Sequence, residues 1–253
     1  MKNNIYYKDT TGYLIFDDCL EAMKNIPDKK IDMVLCDLPY QITSNKWDII
    51  IPFDKLWEQY ERICKDNAIV ALTASQPFTS MLVISNLKMY KHEWIWIKNR
   101  GSNFANTVRE PMKEHESVLI FSNSKWTYNK QMQERTGGGL DRIKYDFNCI
   151  TESENYRKFE RPPSGHSKLR VPSSWQKFNT EVGLHPNQKP VALFEYLIKT
   201  YTNENDIVLD NAAGSCTTAI ACKNLKRRWI CIEKEEKYCE ISKHRIENHQ
   251  IKE

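Results

Sequence analysis

The chain has 253 residues, of which 40% are hydrophobic and 28% charged, with a net charge of +4. These values are ordinary for a soluble globular protein, and the length allows one sizeable α/β domain or one domain with a large insertion. No apolar run approaches the roughly 18 residues of a membrane span, and the N-terminus lacks an apolar core with a cleavage site. We therefore expect a soluble intracellular protein without a signal peptide.

Apolar runs and helical periodicities alternate along the chain. The predicted elements, in chain order, are strand GYLIF, helix DCLEAMKNIP, strand IDMVLC, helix PFDKLWEQYERICK, strand AIVALTA, helix QPFTSMLVISNLK, paired strands KHEWIWIK and ESVLIF, helix PVALFEYLIKTY, strand DIVLD, helix TTAIACKNL, strand RWICIE and helix EEKYCEISKHRIENH. This alternation predicts an α/β fold with a doubly wound, mostly parallel sheet.

Eight cysteines are present, and none forms a Cys-x-x-Cys pair. Zinc spacing is therefore absent, and a disulfide framework is not expected in a long chain without a secretion signal. We expect reduced thiols packed as small apolar residues, and no metal site.

The region between Ser122 and Pro190 differs from the rest of the chain. It holds 12 Lys or Arg against 7 Asp or Glu, together with 5 of the 8 glycines. Such a basic, irregular segment suits a polyanion, although a solvated loop with a chance excess of charge is the alternative. We predict an insertion over residues 122–185, between a first part of the domain at 1–121 and a last part at 186–253.

The stretch VLCDLPYQITSNKWD places an acid, a proline and an aromatic ring directly after a buried strand. Ligands of open α/β sheets bind at the carboxyl ends of parallel strands. A charge, a stiff turn and a flat apolar face together at Asp37–Tyr40 therefore predict a binding or catalytic corner.

A second strand ends at Asp210 and runs into small residues before a helix, and the next strand ends at Glu233. Small residues allow close approach of a ligand, a helix N-terminus offers free N–H groups, and the later acid can accept hydrogen bonds from ribose hydroxyls. Gly-x-Gly-x-x-Gly and Gly-Lys-Ser/Thr are both missing, which favours a ligand with a ribose but no pyrophosphate, such as S-adenosylmethionine. The alternative is a tight strand–helix turn with an incidental acid downstream.

Four ordered motifs resemble those of the β-class, permuted amino-group DNA methyltransferases. DLPY resembles the family's Asp-Pro-Pro-Tyr, with Leu38 in the first proline position, and DNAAGSCTT resembles its cofactor loop, with Asn211 and Cys216 at a proline and a glycine position. DDCLEAMKNIPDKKIDMVLC and HPNQKPVALFEYLIKTYTNENDIVLD resemble the lead-in to each motif. The resemblance covers nearly the whole chain except about 122–180, where the family carries its target-recognition region, and it implies a Rossmann-like methyltransferase domain.

The resemblance implies a role for each matching residue. Asp37 and the carbonyl of Leu38 would accept the two N–H bonds of the target amino group, Pro39 would stiffen the corner, and Tyr40 would stack on the base. Glu233 would bind the ribose hydroxyls. Asp18 and Cys19 would lie near the adenine of the cofactor. Lys189 would lie near the methionine carboxylate, or alternatively it is an ordinary solvated lysine. The full implied set of cofactor-binding residues is Asp18, Cys19, Asp37, Lys189, Asp210, Asn211, Ala212, Gly214, Ser215, Thr217 and Glu233.

The implied substrate is double-stranded DNA whose target base leaves the helix to reach the pocket. Since cytosine-specific members commonly carry Ser where Asp37 stands, the resemblance favours N6 of adenine, with N4 of cytosine as the alternative. It further implies a cytoplasmic protein encoded by a prokaryote or phage, with a homodimer and a cognate restriction endonuclease as possible partners. Candidates for contacts with the DNA backbone are Arg135, Arg142, Lys144, Arg157, Lys158, Arg161, Lys168 and Arg170.

Three other functions fit less well. Carbon-5 cytosine methylation uses a cysteine after a proline, and no Pro-Cys occurs. Glutamine-amide methyltransferases carry Asn where Asp37 stands and have the reverse order of motifs. A non-catalytic DNA-binding homologue would not need the intact Asp37, Pro39 and Tyr40.

Overall fold

The computed structural model describes residues 4–41, 45, 48–136, 150–153, 156–160 and 168–250. They fall into two units, the first comprising Met1–Asn129 with Ser174–Glu253 and the second Lys130–Ser173. The predicted insertion, 122–185, encloses the second unit and extends beyond it at both ends.

Strands are distributed over both units. In chain order they are β1 (Ile5–Lys8), β2 (Gly12–Phe16), β3 (Ile31–Cys36), β4 (Cys64–Ala74), β5 (Tyr90–Ser102), β6 (Lys113–Phe121), β7 (Gln133–Glu134), β8 (Ile150–Ser153), β9 (Tyr156–Glu160), β10 (Leu169–Arg170), β11 (Trp175–Lys177), β12 (Ile207–Asp210) and β13 (Arg228–Glu233).

The first unit is built on a nine-stranded sheet with the order β1-β2-β13-β12-β3-β4-β6-β5-β11. The central strands β2, β13, β12, β3 and β4 are mutually parallel. Strands β5 and β6 pair antiparallel with each other, as predicted, and β6 pairs antiparallel with β4. The edge strands β1 and β11, which the apolar patterns did not predict, extend the sheet at its two ends.

Helices lie between the strands as the periodicity predicts. They are α1 (Cys19–Lys24), α2 (Phe53–Ile63), α3 (Phe78–Ser85), α4 (Val191–Tyr201), α5 (Thr217–Asn224) and α6 (Glu236–Glu247), with a 3₁₀ turn at Phe104–Asn106. Helix α1 begins after Asp18, whose side chain accepts from the backbone N–H groups of Leu20 and Glu21, a standard N-cap. It ends at Lys24, three residues before the predicted stop at Pro27.

The sheet is buried on both faces, which explains its continuous apolar strands. Along β3, Val34 and Cys36 pack into one core while Met33 and Leu35 pack into the other, because successive side chains of a strand point to opposite faces. The first core is closed by α1, α2 and α3, and the second by α4, α5 and α6. The doubly wound architecture predicted from the sequence is therefore present.

The second unit contains two short antiparallel pairs, β7 with β10 and β8 with β9. The backbone N–H of Arg135 donates to the carbonyl of Lys168 at 2.8 Å and extends the first pair. Short apolar-poor strands of this kind carry little periodic signal, so the sequence did not predict them.

Two further expectations concern the described residues. Their seven cysteines are all buried and free. In the same part of the chain, no helix is both long enough and apolar enough to cross a membrane.

One glycine is required by the close approach of two strands. A Cβ on Gly12 would lie 2.1 Å from the backbone oxygen of Trp229, which is fully buried. A Cβ on Gly101 would instead lie 2.3 Å from Cγ of Met112, a side chain that is 40% exposed and can rotate away.

We predict that Gly12→Ala lowers the free energy of unfolding by about 1–3 kcal/mol, since overpacking against fixed backbone is costly.

Urea unfolding of the two matched variants tests this prediction. Gly101→Ala should change the free energy of unfolding by less than about 1 kcal/mol. Equal losses for both variants would contradict the assigned packing of β2 against β13.

Candidate active site

The two corners singled out in the sequence lie at the same edge of the sheet. Strand β12 pairs parallel with β3, and Leu209 lies opposite Val34, so that both strands end side by side. The residues that follow them, Asp37–Tyr40 and Asp210–Ser215, line one cavity of about 700 Å³. That volume is within the range of small-molecule and cofactor sites.

Asp37 is held by three side chains. Its Oδ1 accepts hydrogen bonds from the hydroxyl of Tyr40 at 2.6 Å and from the hydroxyl of Thr73. Its Oδ2 accepts from Nζ of Lys189 at 2.5 Å. The orientation of the carboxylate is therefore fixed. Its partners are Tyr40 of the same corner, Thr73 on β4 and Lys189, which lies two residues before α4.

Leu38 and Tyr40 each face a different environment. Leu38 is 3% exposed and packs into the first core, although the residue also lines the cavity. Tyr40 stacks on Phe78, with ring centroids 4.8 Å apart and an angle of 27° between planes. Burial, followed by the nearby Asp37 carboxylate, raises the pKa of Tyr40 well above its usual value, so its hydroxyl remains a donor.

The bend after β12 is organised around Asp210. Its Oδ2 accepts from the hydroxyl of Thr218 at 2.5 Å, and its Oδ1 accepts from the backbone N–H of Ala212 at 3.2 Å. Burial raises the pKa of Asp210 to about 6 despite these hydrogen bonds. Asp210 thus ties the end of β12 to the first turn of α5.

Two residues of the bend have left-handed backbone conformations. Gly214 has φ +51°, and a Cβ there would lie 3.4 Å from the ring of His185. Cys216 has φ +54°, which is the physical reason why glycine occupies this position in the family that the motif resembles. The Cys216 side chain is fully buried in the second core.

Glu233, at the end of β13, lies against the bend. Its Oε2 accepts from the backbone N–H of Gly214 at 2.7 Å, and its Oε1 accepts from the backbone N–H of Glu235 at 2.9 Å. Burial raises its pKa to about 7, because the charged form loses hydration. Each oxygen keeps further acceptor capacity, and Glu233 lines the cavity.

Asn211 supports the cavity wall from behind. Its Oδ1 accepts from the hydroxyl of Tyr60 at 2.6 Å, which fixes the orientation of the amide. Its Nδ2 is buried, and the side chain interacts with the Cys19 thiol. Asn211 therefore ties the bend to α2 and to the start of α1.

The remaining predicted residues fall on the same cavity, except for those of the insertion. Asp18 and Cys19 line it at the start of α1, and Ser215 and Thr217 line it at the start of α5. Lys189 also lines it, but its ammonium contacts Asp37 and not the bend.

Several supporting residues were not predicted. Nη1 of Arg245 donates to the carbonyl of Ser215 at 2.9 Å and lies 3.1 Å from the hydroxyl of Thr217, so α6 braces the bend. Glu116 on β6 and Lys98 on β5 form a hydrogen-bonded ion pair at the wall near Lys189. The sequence gives no signal for Glu116, because it lies in the polar first half of β6 beside Glu114 and His115.

The predicted DNA contacts belong to the second unit. The described residues include Lys168, which is exposed, and Arg135 and Arg170, which are half-buried. Only the backbone is described for Arg157 and Lys158, on β9. Three others, Arg142, Lys144 and Arg161, lie outside the described residues.

Comparison with known proteins identifies the family. A family model described as DNA methylase, of the N6/N4 class, matches residues 31–244 and so includes both corners of the cavity. The chain belongs to the N6/N4 DNA methylase family. The family and the fold class predicted from the sequence are confirmed.

Individual relatives of this methylase are distant but cover most of its length. Type II methyltransferase M.HpaI of Haemophilus parainfluenzae is 27% identical over 250 residues, which cover 93% of this chain and 74% of that protein. DNA adenine methyltransferase YhdJ of Escherichia coli K12 is 27% identical over 255 residues, covering 92% and 82%. The crystal structure of an M1.HpyAVI–SAM complex is 25% identical, with a TM-score of 0.63 over 93% of this chain and 98% of that one.

Proposed function

We propose that this methylase transfers a methyl group from S-adenosylmethionine to the exocyclic N6 of an adenine that has left a DNA duplex. The observation that carries the proposal is the shared cavity, which has an acceptor corner at Asp37–Tyr40 and a cofactor bend at Asp210–Ser215. It agrees with the family match and with the names of relatives such as the adenine methyltransferase YhdJ.

The cofactor half fits a nucleoside with hydroxyl groups and a positive charge. Glu233 would accept hydrogen bonds from the ribose hydroxyls, since each of its oxygens carries one backbone hydrogen bond in this structure. Gly214 allows the bend to pack closely against His185, which also lines the cavity. When bound, the sulfonium cofactor supplies an electrophilic methyl group with a good leaving group, so the protein contributes mainly orientation and electrostatics.

The acceptor half fits an amino group. The nitrogen lone pair of a base amine is delocalised into the ring, and acceptors for its two N–H bonds favour a pyramidal nitrogen with a directed lone pair. Asp37 supplies one acceptor and the carbonyl of Leu38 the other. Tyr40, held by Phe78, would stack on the base, an interaction worth roughly 1–3 kcal/mol.

The second unit is the proposed target-recognition region, and its basic residues would contact the phosphates of the DNA. Since DNA is the proposed substrate, we place the enzyme in the cytoplasm of a prokaryotic or phage-infected cell. A homodimer and a cognate restriction endonuclease remain proposed partners.

The target base is tested with nucleosides from treated DNA. Mass spectrometry after incubation with S-adenosylmethionine should detect N6-methyladenine, and N4-methylcytosine alone would overturn the choice of adenine.

Asp37→Ala should lower the methyl-transfer rate by roughly 100-fold or more while cofactor affinity is retained, since it removes a transition-state acceptor. Asp54→Ala, at an exposed acid of α2, is the control and should keep the wild-type rate. If Asp37→Ala loses cofactor affinity together with methyl transfer, Asp37 is structural or binds the cofactor.

Cofactor affinity should rise with pH because of Glu233. Its pKa in the free protein is raised to about 7 by burial, and ribose hydroxyls donate much stronger hydrogen bonds to the charged carboxylate than to the neutral acid. From pH 6.5 to 8 we expect about a fourfold gain in affinity, as more of the protein carries that form. Titration calorimetry should show the gain in the wild type and in Glu236→Gln, and not in Glu233→Gln. A flat wild-type profile would contradict the role of Glu233.

The phosphate contacts are tested by salt. Replacing Arg135, Lys168 and Arg170 with Ala should make the slope of log K against log salt less steep by up to about 2.7, which is 0.9 per lost contact. The matched control replaces three exposed lysines of the first unit, Lys30, Lys88 and Lys243. An unchanged slope in the first triple variant would remove the DNA-binding surface from this part of the second unit.

A further inference from the structure

A row of four alternating charges runs from the sheet into the active site. In order they are Lys98 on β5, Glu116 on β6, Lys189 before α4 and Asp37 after β3. Lys98 and Lys189 have side chains that are each 8% exposed, and that of Glu116 is 14% exposed. Their charges cancel, which is the condition for burying such groups.

Lys189 has one acceptor in use and another within reach. Its Nζ lies 2.5 Å from Oδ2 of Asp37 and 3.5 Å from Oε2 of Glu116. Oε2 of Glu116 is buried and makes no hydrogen bond to any described residue. A movement of Nζ by about 0.7 Å would bring it to the usual length of a charge-assisted hydrogen bond.

Lys189 competes with the target amine for Oδ2 of Asp37. Its Oδ1 already accepts from Tyr40 and Thr73, and its Oδ2 accepts from the ammonium. Methyl transfer also moves positive charge onto the amine nitrogen, and an ammonium on Asp37 would repel that charge. The reaction is therefore favoured when Lys189 has left Oδ2.

We propose that Glu116 is a positioning residue that receives the Lys189 ammonium when the target amino group binds Asp37, with Lys98 holding Glu116 in place. This inference rests on the proposed function. The nitrogen lone pair attacks the methyl carbon, the carbon–sulfur bond breaks with its electrons on sulfur, and the nitrogen gives up one proton to solvent. Lys189 and Glu116 exchange no atom in this step and act by moving charge.

The surroundings of Lys189 suit such an exchange. Burial lowers its pKa, but the Asp37 and Glu116 carboxylates outweigh this and raise it, so the side chain stays charged and always needs an acceptor. Its carbonyl accepts from the hydroxyl of Thr217 at 3.2 Å, and Pro190 follows, so its backbone is fixed and only the side chain has to move. On the other side, Trp96 lies opposite Glu116 in the β5–β6 register and Lys98 is the diagonal neighbour on the same face.

The first test is the single-turnover rate of methyl transfer in Glu116→Gln. This change keeps the size of the side chain and removes its charge, so Lys189 stays on Asp37. We expect at least a tenfold lower rate with unchanged affinity for S-adenosylmethionine. Glu114→Gln, at an exposed glutamate of the same strand, loses the same charge and should keep the wild-type rate. Equal rates in the two variants would overturn the proposal.

A double-mutant cycle separates positioning from a structural role. If Glu116 acts through Lys189, Glu116→Gln should cause no further loss of rate in a Lys189→Gln background. Additive losses would mean that Glu116 acts independently of Lys189, and would overturn the exchange. Failure of the proposed function is distinguishable, since wild-type enzyme would then methylate no DNA.

A measurement on the wild-type protein does not depend on the folding of any variant. The crystal would contain S-adenosylhomocysteine and duplex DNA with the recognition site of the enzyme in its unmethylated form. In that structure, Nζ of Lys189 should lie within hydrogen-bond distance of Oε2 of Glu116 and away from Oδ2 of Asp37. An ammonium still on Asp37 with the target amino group in place would overturn the proposal.

Discussion

The parallel pairing of β3 with β12 decides where chemistry can take place in this protein. The backbone N–H of Ile207, at the start of β12, donates to Oδ2 of Asp32 on β3 at 2.9 Å across 175 residues of sequence. Nζ of Lys65 holds the other oxygen of Asp32 at 2.6 Å. This contact supports the register that brings the acceptor corner and the cofactor bend to one edge of the sheet. Methyl transfer from a cofactor to a base requires that the two corners lie side by side.

The electrostatics of the cavity differ between its two halves. Asp210 and Glu233, in the cofactor half, have pKa values raised to about 6 and about 7, because burial outweighs the hydrogen bonds that stabilise their charged forms. A cationic ligand would stabilise these charged forms further, since opposite charges interact strongly at low effective dielectric. In the acceptor half, Asp37 is already compensated by Lys189. Methyl transfer would move positive charge from the cofactor half to the acceptor half of the cavity. The proposed shift of the Lys189 ammonium away from Asp37 would make room for that charge.

The local sequence was sufficient to select Asp37, Asp210 and Glu233 as candidate site residues. Each directly follows or ends an apolar strand, and ligands bind at the strand ends of a parallel sheet. The local sequence was not sufficient to select Thr73, Glu116 and Arg245. Each of these reaches the site through a strand register or a helix packing that no pattern within its own segment encodes. Lys189 was assigned to the cavity, but its contact with Asp37 depends on a salt bridge across 152 residues of sequence.

Two departures from the family's motifs can be understood physically. At position 38 the proposed function uses only the backbone carbonyl, and a leucine that is 3% exposed replaces the rigidity of a proline ring with packing in the core. At position 216 a left-handed conformation costs a residue with a Cβ about 1–2 kcal/mol relative to glycine. The fully buried thiol recovers part of that cost by packing as a small apolar group against the second core. At both positions, burial of the side chain compensates for the loss of a residue with the preferred backbone conformation.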